Sequence, residues 1–331
     1  MIEKVRLAIS LGDPAGIGFE ITAKAILALK SAPIRFILAC NESHFGRYGS
    51  RFEWGAEILE LAKTGKSGSG AEIEFLGEPE LRAPVAFGTP NAESGDFAYE
   101  SLISAAEHCI ENCADALVTA PLSKTALKMA GHDFPGHTEI LQSLTGVPRV
   151  VMAFIAGDNR VVPATRHIAL RDVPNALSPE LIDETIGITS DWLRRYEKID
   201  EPRVGVLALN PHAGEGGMMG GEESIIIEGM TRATGRGYNV SGPIVPDTAF
   251  LWKIRSAYDV LIGMFHDQVL IPFKMMAFEE GVNATLGLSF IRTSPDHGTA
   301  FAIAGKGIAN HGSMKSAIEL AERWARATSE G

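Results

Sequence analysis

Short apolar runs alternate with amphipathic helical patterns along almost the whole chain of 331 residues. Short apolar runs bounded by turn residues predict buried strands, and apolar residues at a helical period predict helices. The predicted strands are 5–11, 34–40, 71–77, 115–121, 203–210 and 259–265. The predicted helices are 19–30, 93–113, 178–196, 314–327 and one that begins at about Glu222. This alternation predicts an α/β fold with a largely parallel sheet.

One segment near the middle of the chain breaks the alternation. In residues 149–165, two apolar runs flank Gly157-Asp158-Asn159, which predicts a hairpin and therefore an antiparallel insertion in the sheet. A helix is predicted to follow, because Ser178-Pro179 is a typical helix start. The length allows one large domain or two intimate ones.

Composition and charge argue against several classes of protein. The net charge of −11 and the scattered Lys and Arg residues disfavour nucleic-acid binding. No apolar run approaches the ~20 residues of a membrane span, and the first apolar run is interpreted as a strand, not as a signal peptide. Three cysteines offer no disulfide framework, so we expect the protein in the reducing cytoplasm.

The glycine-rich turns do not supply an ordinary nucleotide-binding motif. Gly16-Ile17-Gly18 lacks the third glycine of the fingerprint because position 21 is Ile. Gly214-Glu215-Gly216 lacks it because position 219 is Met. An ordinary Rossmann dinucleotide site is therefore disfavoured.

Three histidines share one context, because each follows an apolar run and precedes a polar or glycine-containing loop. They are His167, His212 and His266. The carboxyl ends of parallel strands gather at one edge of a sheet, so these imidazoles could coordinate one divalent ion. Neutral imidazoles suit zinc, cobalt, nickel or manganese. The alternative is that each histidine hydrogen-bonds loop carbonyl groups.

Two aspartates lie in or near these segments. Asp267 follows His266 directly, and Asp247 lies in the segment 242–250. Either carboxylate could orient a ligand histidine or act as the general base. For Asp247, a helix cap before Thr248 is the alternative.

A second group of residues has the chemistry of an anion site. His137 and Thr138 stand where a helix is expected to begin, and helix N-termini attract anions. The alternative is that Thr138 is merely the N-cap of that helix. Lys274, Asn283 and Arg292 follow in a segment rich in apolar residues, which favours capture of a phosphate or carboxylate. Solvated surface cations are the alternative.

Five motifs together resemble the 4-hydroxythreonine-4-phosphate dehydrogenase family, in the expected order and over nearly the entire chain. They are GDPAGIGFE (12–20), TAPLSK (119–124), GHDFPGHTE (131–139), LNPHAGEGG (209–217) and RTSPDHGTAF (292–301). The resemblance implies a three-layer α/β/α fold similar to isocitrate and isopropylmalate dehydrogenases, in one chain (1–331) of two intimate subdomains. It also implies a homodimer whose metal site lies at the subunit interface.

The activity implied by the resemblance is oxidation of the C3 hydroxyl of 4-phosphooxy-L-threonine by NAD or NADP, followed by decarboxylation, in pyridoxal phosphate biosynthesis. Zinc is the first metal expected, with cobalt, manganese or magnesium as alternatives. The family's metal ligands match His167, His212 and His266, and its substrate contacts match His137, Thr138, Lys274, Asn283 and Arg292. The segment 296–310 is similar to the adenosine-binding loop of isopropylmalate dehydrogenases, which implies cofactor contacts at His297, Gly298 and Asn310. A glycine-rich connection before the last helix is the alternative for this segment.

Some positions depart from the pattern typical of the biosynthetic enzyme. They are Phe19, Ser123, Met218, Met219, Val269, Ala284 and Ser289. These departures leave other substrates open, namely 4-phosphothreonate, 4-phosphoerythronate or a cyclic cis-dihydrodiol. A phosphate acyltransferase on a similar fold and a metal-dependent binding protein are the remaining alternatives.

Overall fold

A computed structural model describes residues 3–49, 52–65, 70–83 and 85–329. The chain divides into two compact units. The first unit consists of Met1–Pro148 and Leu288–Gly331, and the second unit consists of Arg149–Gly287.

The first unit contains five strands that are paired in parallel. These strands are β1 (Val5–Ser10), β2 (Ile34–Ala39), β3 (Glu72–Phe75), β4 (Ala116–Thr119) and β11 (Ile291–Pro295). Their order is β3-β2-β1-β4-β11, with β1 in the middle. The side chains of β1, β4 and β11 are almost all buried, as expected for central parallel strands covered on both faces.

Seven helices in the described part of the first unit accompany this sheet. They are α1 (Gly18–Ala28), α2 (Glu42–Gly49), α3 (Glu53–Thr64), α4 (Ala92–Ile110), α5 (Lys124–Met129), α6 (His137–Thr145) and α12 (Gly312–Ser329). The longest, α4, begins with a capping box in which the side chain of Asn91 accepts from Ser94 N and that of Ser94 accepts from Asn91 N. Its buried face packs with α5, α6 and the sheet in one apolar cluster.

The second unit contains the predicted hairpin. Its strands are β5 (Val151–Ala156), β6 (Asn159–Pro163), β7 (Val204–Leu207), β8 (Val240–Ile244), β9 (Val260–Gly263) and β10 (Val282–Leu286). Their order is β10-β5-β6-β9-β7-β8. The pairs β10–β5 and β5–β6 are antiparallel, and the other pairs are parallel. The prediction of a mostly parallel sheet with an antiparallel insertion is therefore confirmed.

The helices of the second unit are α7 (Val173–Ala176), α8 (Pro179–Tyr196), α9 (Glu222–Gly235), α10 (Trp252–Arg255) and α11 (His266–Ala277). The predicted start of α8 is confirmed, because the side chain of Ser178 accepts a hydrogen bond from Leu181 N at 3.1 Å and Pro179 opens the helix. In the described part of the chain, no helix combines the length and apolar character that crossing a membrane requires.

Candidate active site

The three predicted metal ligands follow three neighbouring strands of the second unit. Strand β9 lies between β6 and β7 and is parallel to both, so the carboxyl ends of all three strands lie at one edge of the sheet. His167 follows β6, His212 follows β7, and His266 is the first residue of α11 after β9. The topology thus brings the three segments to the edge that the sequence predicts.

Hydrogen bonds tie these strand ends to one another. Ala164 N donates to Gly263 O at 2.7 Å, and Thr165 Oγ1 donates to Met264 O at 2.7 Å. Gln268 connects β9 with β7, because its Oε1 accepts from Met264 N at 2.6 Å and its Nε2 donates to Ala208 O at 2.8 Å. The segments that carry the histidines therefore begin at strand ends that these hydrogen bonds hold together.

Two of the three imidazoles lie close together. The ring centroids of His167 and His266 are 5.4 Å apart. Two imidazoles that bind one tetrahedral zinc ion through nitrogen atoms at ~2.1 Å have ring centres roughly 5 Å apart. His266 Nδ1 donates to Asp267 Oδ1 at 2.7 Å, which leaves Nε2 to bind an ion. This pair has the donor chemistry and the spacing that suit a divalent metal.

His212 lies in an unusual turn after β7. Five consecutive residues, His212 to Gly216, have positive φ angles between 44° and 74°, in the left-handed region. Non-glycine residues in this region cost about 1–2 kcal/mol each. The turn is braced by Asn210, whose N donates to Glu223 Oε1 at 2.8 Å and whose Nδ2 donates to Glu222 Oε2 at 2.9 Å.

A complete metal site is not formed by the described residues of a single chain. Over those residues, no three His, Cys, Asp or Glu side chains are grouped so that they could hold an ion. The structure thus brings His167 and His266 together but does not join His212 to them in a three-ligand group. The ligand set as a whole stays a prediction.

The two aspartates occupy different positions in the second unit. Asp267 is exposed, and its Oδ1 lies 2.7 Å from His266 Nδ1, which donates to it. Asp247 is exposed in a turn after β8. The alternative of a helix cap is wrong for Asp247, because the next helix begins at Trp252 with Leu251 as its N-cap.

One of the two predicted substrate contacts of the second unit, Asn283, is linked to the histidine pair through Phe154. Asn283 on β10 is directly opposite Phe154 on β5, so the two side chains share one face of the sheet. The ring of Phe154 contacts the ring of His266 edge-on, with centroids 6.2 Å apart. Lys274 is partly buried near the end of α11, the helix that begins with His266.

The first unit brings together the other predicted substrate contacts. Arg292 lies on β11 and donates from Nη2 to Thr119 Oγ1, at the end of β4, at 2.7 Å. His137 Nε2 lies 3.1 Å from Ala120 O, the next residue along, and donates to it. The alternative of a solvated surface cation is wrong for Arg292, which is only 3% exposed. Thr119 was not predicted as a site residue, although it opens the motif TAPLSK.

His137, Thr138 and Arg292 form what we call the cluster of the first unit. Burial controls the charges of its imidazole and its guanidinium. Desolvation, and then the positive charge of Arg292, lowers the pKa of His137 well below its ordinary value, against the raising effect of its bond to Ala120 O. Burial also lowers the pKa of Arg292 to about 9, although Glu139 raises it. At neutral pH the cluster therefore combines a neutral imidazole with a charged guanidinium.

The start of α6 suits an anion. Its N-cap is Gly136, which has no side chain to cap the first backbone N–H groups. The alternative that Thr138 is the N-cap is wrong, because the helix already begins at His137. Both a cation and a carboxylate border this helix start, since Lys124 Cε and Glu139 Oε2 are each 3.8 Å from the place where a Cβ on Gly136 would stand.

The predicted cofactor loop connects β11 with α12 and is held to α1. Lys24 donates to Gly307 O at 2.9 Å and to Ala309 O at 3.1 Å, and Glu20 Oε1 accepts from Ala309 N at 2.8 Å. The predicted contacts, which are His297, Gly298 and Asn310, are exposed. No described atom lies within 4 Å of a Cβ built on Gly298, so a ligand can approach the backbone there. The cofactor contacts of this loop stay predictions.

The mostly parallel strand pairing and the accompanying helices define an α/β protein. A β-decarboxylating dehydrogenase from Thermococcus kodakarensis shares the fold, with a TM-score of 0.50 at 14% sequence identity over 96% of this chain and 83% of that chain. This likeness concerns the fold alone, and it agrees with the predicted fold class.

The family follows from closer relatives. Residues 41–321 match the model of the pyridoxal phosphate biosynthetic protein PdxA, and the chain belongs to that family. A 4-hydroxythreonine-4-phosphate dehydrogenase from Geobacter metallireducens is 43% identical, over 99% of this chain and 98% of that protein. A D-threonate 4-phosphate dehydrogenase from Salmonella typhimurium is 38% identical, over 97% of this chain and 99% of that protein.

A solved structure agrees with this assignment. The 4-hydroxythreonine-4-phosphate dehydrogenase of Klebsiella pneumoniae is 37% identical and has a TM-score of 0.82, over 98% of this chain and 100% of that chain. The predicted family resemblance and the predicted class of enzyme, an oxidoreductase of the dehydrogenase type, are therefore confirmed.

Proposed function

We propose that the protein oxidises the C3 hydroxyl of 4-phosphooxy-L-threonine to a ketone, and that the resulting β-keto acid loses CO2 to give 3-amino-2-oxopropyl phosphate, in pyridoxal phosphate biosynthesis in the cytoplasm. The single observation that carries this proposal is the pair of imidazoles, His167 and His266, 5.4 Å apart at the carboxyl ends of β6 and β9. The names of the relatives from Geobacter and Klebsiella support the choice of substrate.

Two bound groups supply the redox and acid chemistry of the proposed reaction. A divalent ion, with zinc first and cobalt, manganese or magnesium as alternatives, would be held by His167, His212 and His266 and would supply Lewis-acid chemistry at the substrate hydroxyl. NAD or NADP would be held along 296–310, with contacts at His297, Gly298 and Asn310, and would supply the hydride acceptor. The protein's own part is to bind and orient the substrate and to remove the hydroxyl proton.

The proton acceptor that we propose is Asp247. Asp267 is the other candidate, but its Oδ1 accepts from His266 Nδ1 at 2.7 Å, which supports an orienting role. Asp247 lies in an exposed turn, so its carboxylate is accessible to a substrate.

The phosphate is bound by the cluster of the first unit, and the second unit has substrate contacts of its own. His137, Thr138 and Arg292 form the first group, in which a charged guanidinium stands beside the start of α6. Lys274 and Asn283 are the proposed contacts from the second unit. The binding energy of this remote group orients the reacting carbon.

We also propose that two copies of the chain form the active enzyme. Helix α11 begins with His266 and then exposes large apolar side chains, among them Met275 at 83%. Phe278 beyond its end and Trp252 at the start of α10 are exposed as well. Apolar side chains grouped on the surface mark an interaction site. We propose that the second copy packs on α11. There it can complete the metal site, because the described residues of one chain group only two of its imidazoles.

A second substrate is favoured by one specific relative. The D-threonate 4-phosphate dehydrogenase of Salmonella typhimurium is similar over almost its whole length, so D-threonate 4-phosphate is the second candidate. It carries a hydroxyl group where 4-phosphooxy-L-threonine carries an amine, and both have the phosphate that the first-unit cluster suits. The predicted alternatives of 4-phosphoerythronate, a cis-dihydrodiol and an acyl transfer to phosphate have no comparable support.

A substrate panel tests the proposed function. Purified protein is mixed with NAD or NADP, with each divalent metal in turn, and with phosphorylated four-carbon acids, while absorbance is followed at 340 nm. We expect reduction of the nicotinamide with 4-phosphooxy-L-threonine, and none after chelation of the metal. A higher kcat/KM for D-threonate 4-phosphate would assign the second substrate. Failure of every hydroxylated substrate would contradict the proposal.

A further inference from the structure

One side chain, His132, fastens the connection between α5 and α6 to α4. Its ring is stacked on the ring of Tyr99, with centroids 3.8 Å apart and planes 12° from parallel. Its Nε2 lies 2.9 Å from Asp96 Oδ1 and donates to it, because a carboxylate oxygen only accepts. Asp96 and Tyr99 are three residues apart on α4, so they project from the same face of that helix. We call Asp96, Tyr99 and His132 the α4 clamp.

The rest of the connection between α5 and α6 is held by backbone hydrogen bonds and by the packing of Phe134. His132 N donates to Leu127 O at 2.9 Å, and Phe134 N donates to His132 O at 3.0 Å. The side chain of Phe134 packs against the apolar cluster of α4, α5 and α6, and its ring lies 6.3 Å from that of Tyr99, within 18° of parallel. The chain is therefore held at residues 132 and 134, just before α6 begins at His137.

The start of α6 depends on this connection more than on its own cap. The helix has only nine residues, and its N-cap makes no side-chain hydrogen bond. An anion bound by backbone N–H groups needs those groups in fixed positions, since any freedom left in them is lost on binding. His137 and Thr138, the proposed phosphate contacts, begin α6 and move with it.

We propose that the α4 clamp positions the start of α6 for the substrate phosphate. Asp96, Tyr99 and His132 are then positioning residues, a role that rests on the proposed phosphate site. They act on the binding of the phosphate group and not on the transfer of hydride or proton. Loss of the clamp therefore raises KM for the phosphorylated substrate and leaves kcat nearly unchanged.

The test compares variants that break each half of the clamp. Asp96→Ala removes the hydrogen bond and leaves the stack, and Tyr99→Leu removes the stack and leaves the bond. We expect each variant to bind inorganic phosphate about fivefold more weakly in titration calorimetry. KM for 4-phosphooxy-L-threonine rises by a similar factor, while kcat and the Kd for NAD stay within twofold of wild type.

Matched variants separate positioning from a general loss of structure. Asp96→Asn keeps an oxygen that accepts from His132, and Tyr99→Phe keeps the stacked ring, so both are expected to bind phosphate as wild type does. Arg82→Ala removes the cation that lies 3.8 Å from Asp96 Oδ2 but leaves the clamp intact. Glu107→Ala changes an exposed residue of the same helix. Neither change is expected to affect phosphate binding.

Each outcome decides for or against the clamp. Unchanged phosphate binding in Asp96→Ala and Tyr99→Leu overturns it, and so does a parallel loss of phosphate and NAD binding. Absence of phosphate binding in wild type overturns it as well. If wild type binds phosphate, the variants bind it more weakly, and no substrate is oxidised, the clamp is supported and the proposed function is contradicted.

Discussion

The two units of the chain prepare their candidate sites in different ways. In the first unit, Arg292 is buried and His137 is partly buried, and each is bonded to the end of β4, through Thr119 Oγ1 and Ala120 O respectively. In the second unit, the pair of His167 and His266 lies at a surface that also exposes Asp267. The described part of one chain groups no third ligand with that pair.

This difference follows from what each site has to hold. A buried guanidinium must find its partners within its own fold, because an uncompensated buried charge is costly. A metal site gains its stability from the ion and can take ligands from another chain. The first site is therefore built before any ligand arrives, whereas we propose that the second is completed by a metal and a second copy.

The largest effect is expected from removing the imidazoles. His167→Ala, His212→Ala and His266→Ala should each lower kcat/KM by ~10³-fold or more, because the substrate hydroxyl loses its Lewis acid. Steady-state assays at 340 nm and metal analysis of the purified variants check this, with His108→Ala on α4 as the control. Full activity in any one variant removes that residue from the proposed site.

A smaller effect is expected in the first unit. Arg292→Met removes a buried guanidinium, and we expect KM for the phosphorylated substrate to rise about 100-fold while metal content is unchanged. Arg292→Lys keeps a positive charge but not the planar guanidinium group. Its KM should therefore lie between that of Arg292→Met and that of wild type. Initial rates over a range of substrate concentrations measure both. An Arg292→Met enzyme with wild-type KM contradicts the phosphate site.

Strong apolar periodicity made much of the fold predictable. All six predicted strands are present, each shorter than predicted by one to four residues. Two of the missed elements, β11 and α11, carry mixed signals. Strand β11 is buried throughout but reads Ile-Arg-Thr-Ser-Pro, so its polar residues hid it. Helix α11 contains Pro272, which is typical of a helix boundary, and its N-cap forms no side-chain hydrogen bond.

For the candidate site too, features set by local sequence patterns could be predicted, whereas features set by contacts between distant residues could not. The position of the histidines at strand ends could be predicted, because each strand is a local pattern and parallel strands share an edge. The bond of Arg292 to Thr119 could not, since 173 residues separate them and only the pairing of β4 with β11 makes them neighbours. The α4 clamp was missed for the same reason, because Tyr99 and His132 meet only through packing.

The role of Asp267 provides a test of the candidate metal site in the second unit. If Asp267 orients His266, Asp267→Asn should weaken metal binding by about 10–100-fold and leave kcat of the metal-saturated enzyme within a few-fold of wild type. Titration with zinc in a competing chelator measures the first quantity. Asp247→Asn serves as the contrast, with kcat lower by ~10²-fold or more and metal affinity unchanged. The reverse pattern would make Asp267 the base.

The smallest effect is a dependence of stability on pH that belongs to the first unit alone. Burial and Arg292 lower the pKa of His137 well below its unfolded value of ~6.5. As pH falls below 6.5, the unfolded state binds a proton that the folded state does not bind, so the free energy of unfolding decreases. Between pH 7.5 and 5.5, protonation of this one group in the unfolded state therefore lowers the free energy of unfolding.

Urea denaturation of wild type and His137→Asn at the two pH values isolates this term. We expect the decrease in the free energy of unfolding between pH 7.5 and 5.5 to be smaller in the variant than in wild type. His44 and His311, whose pKa values burial also lowers, contribute equally to both proteins and cancel. Chelation of the metal should not change the difference, because the cluster of the first unit is complete without the ion. Equal pH dependence in the two proteins, or a difference that disappears with the metal, contradicts the contrast between a site built in advance and one completed by its ligands.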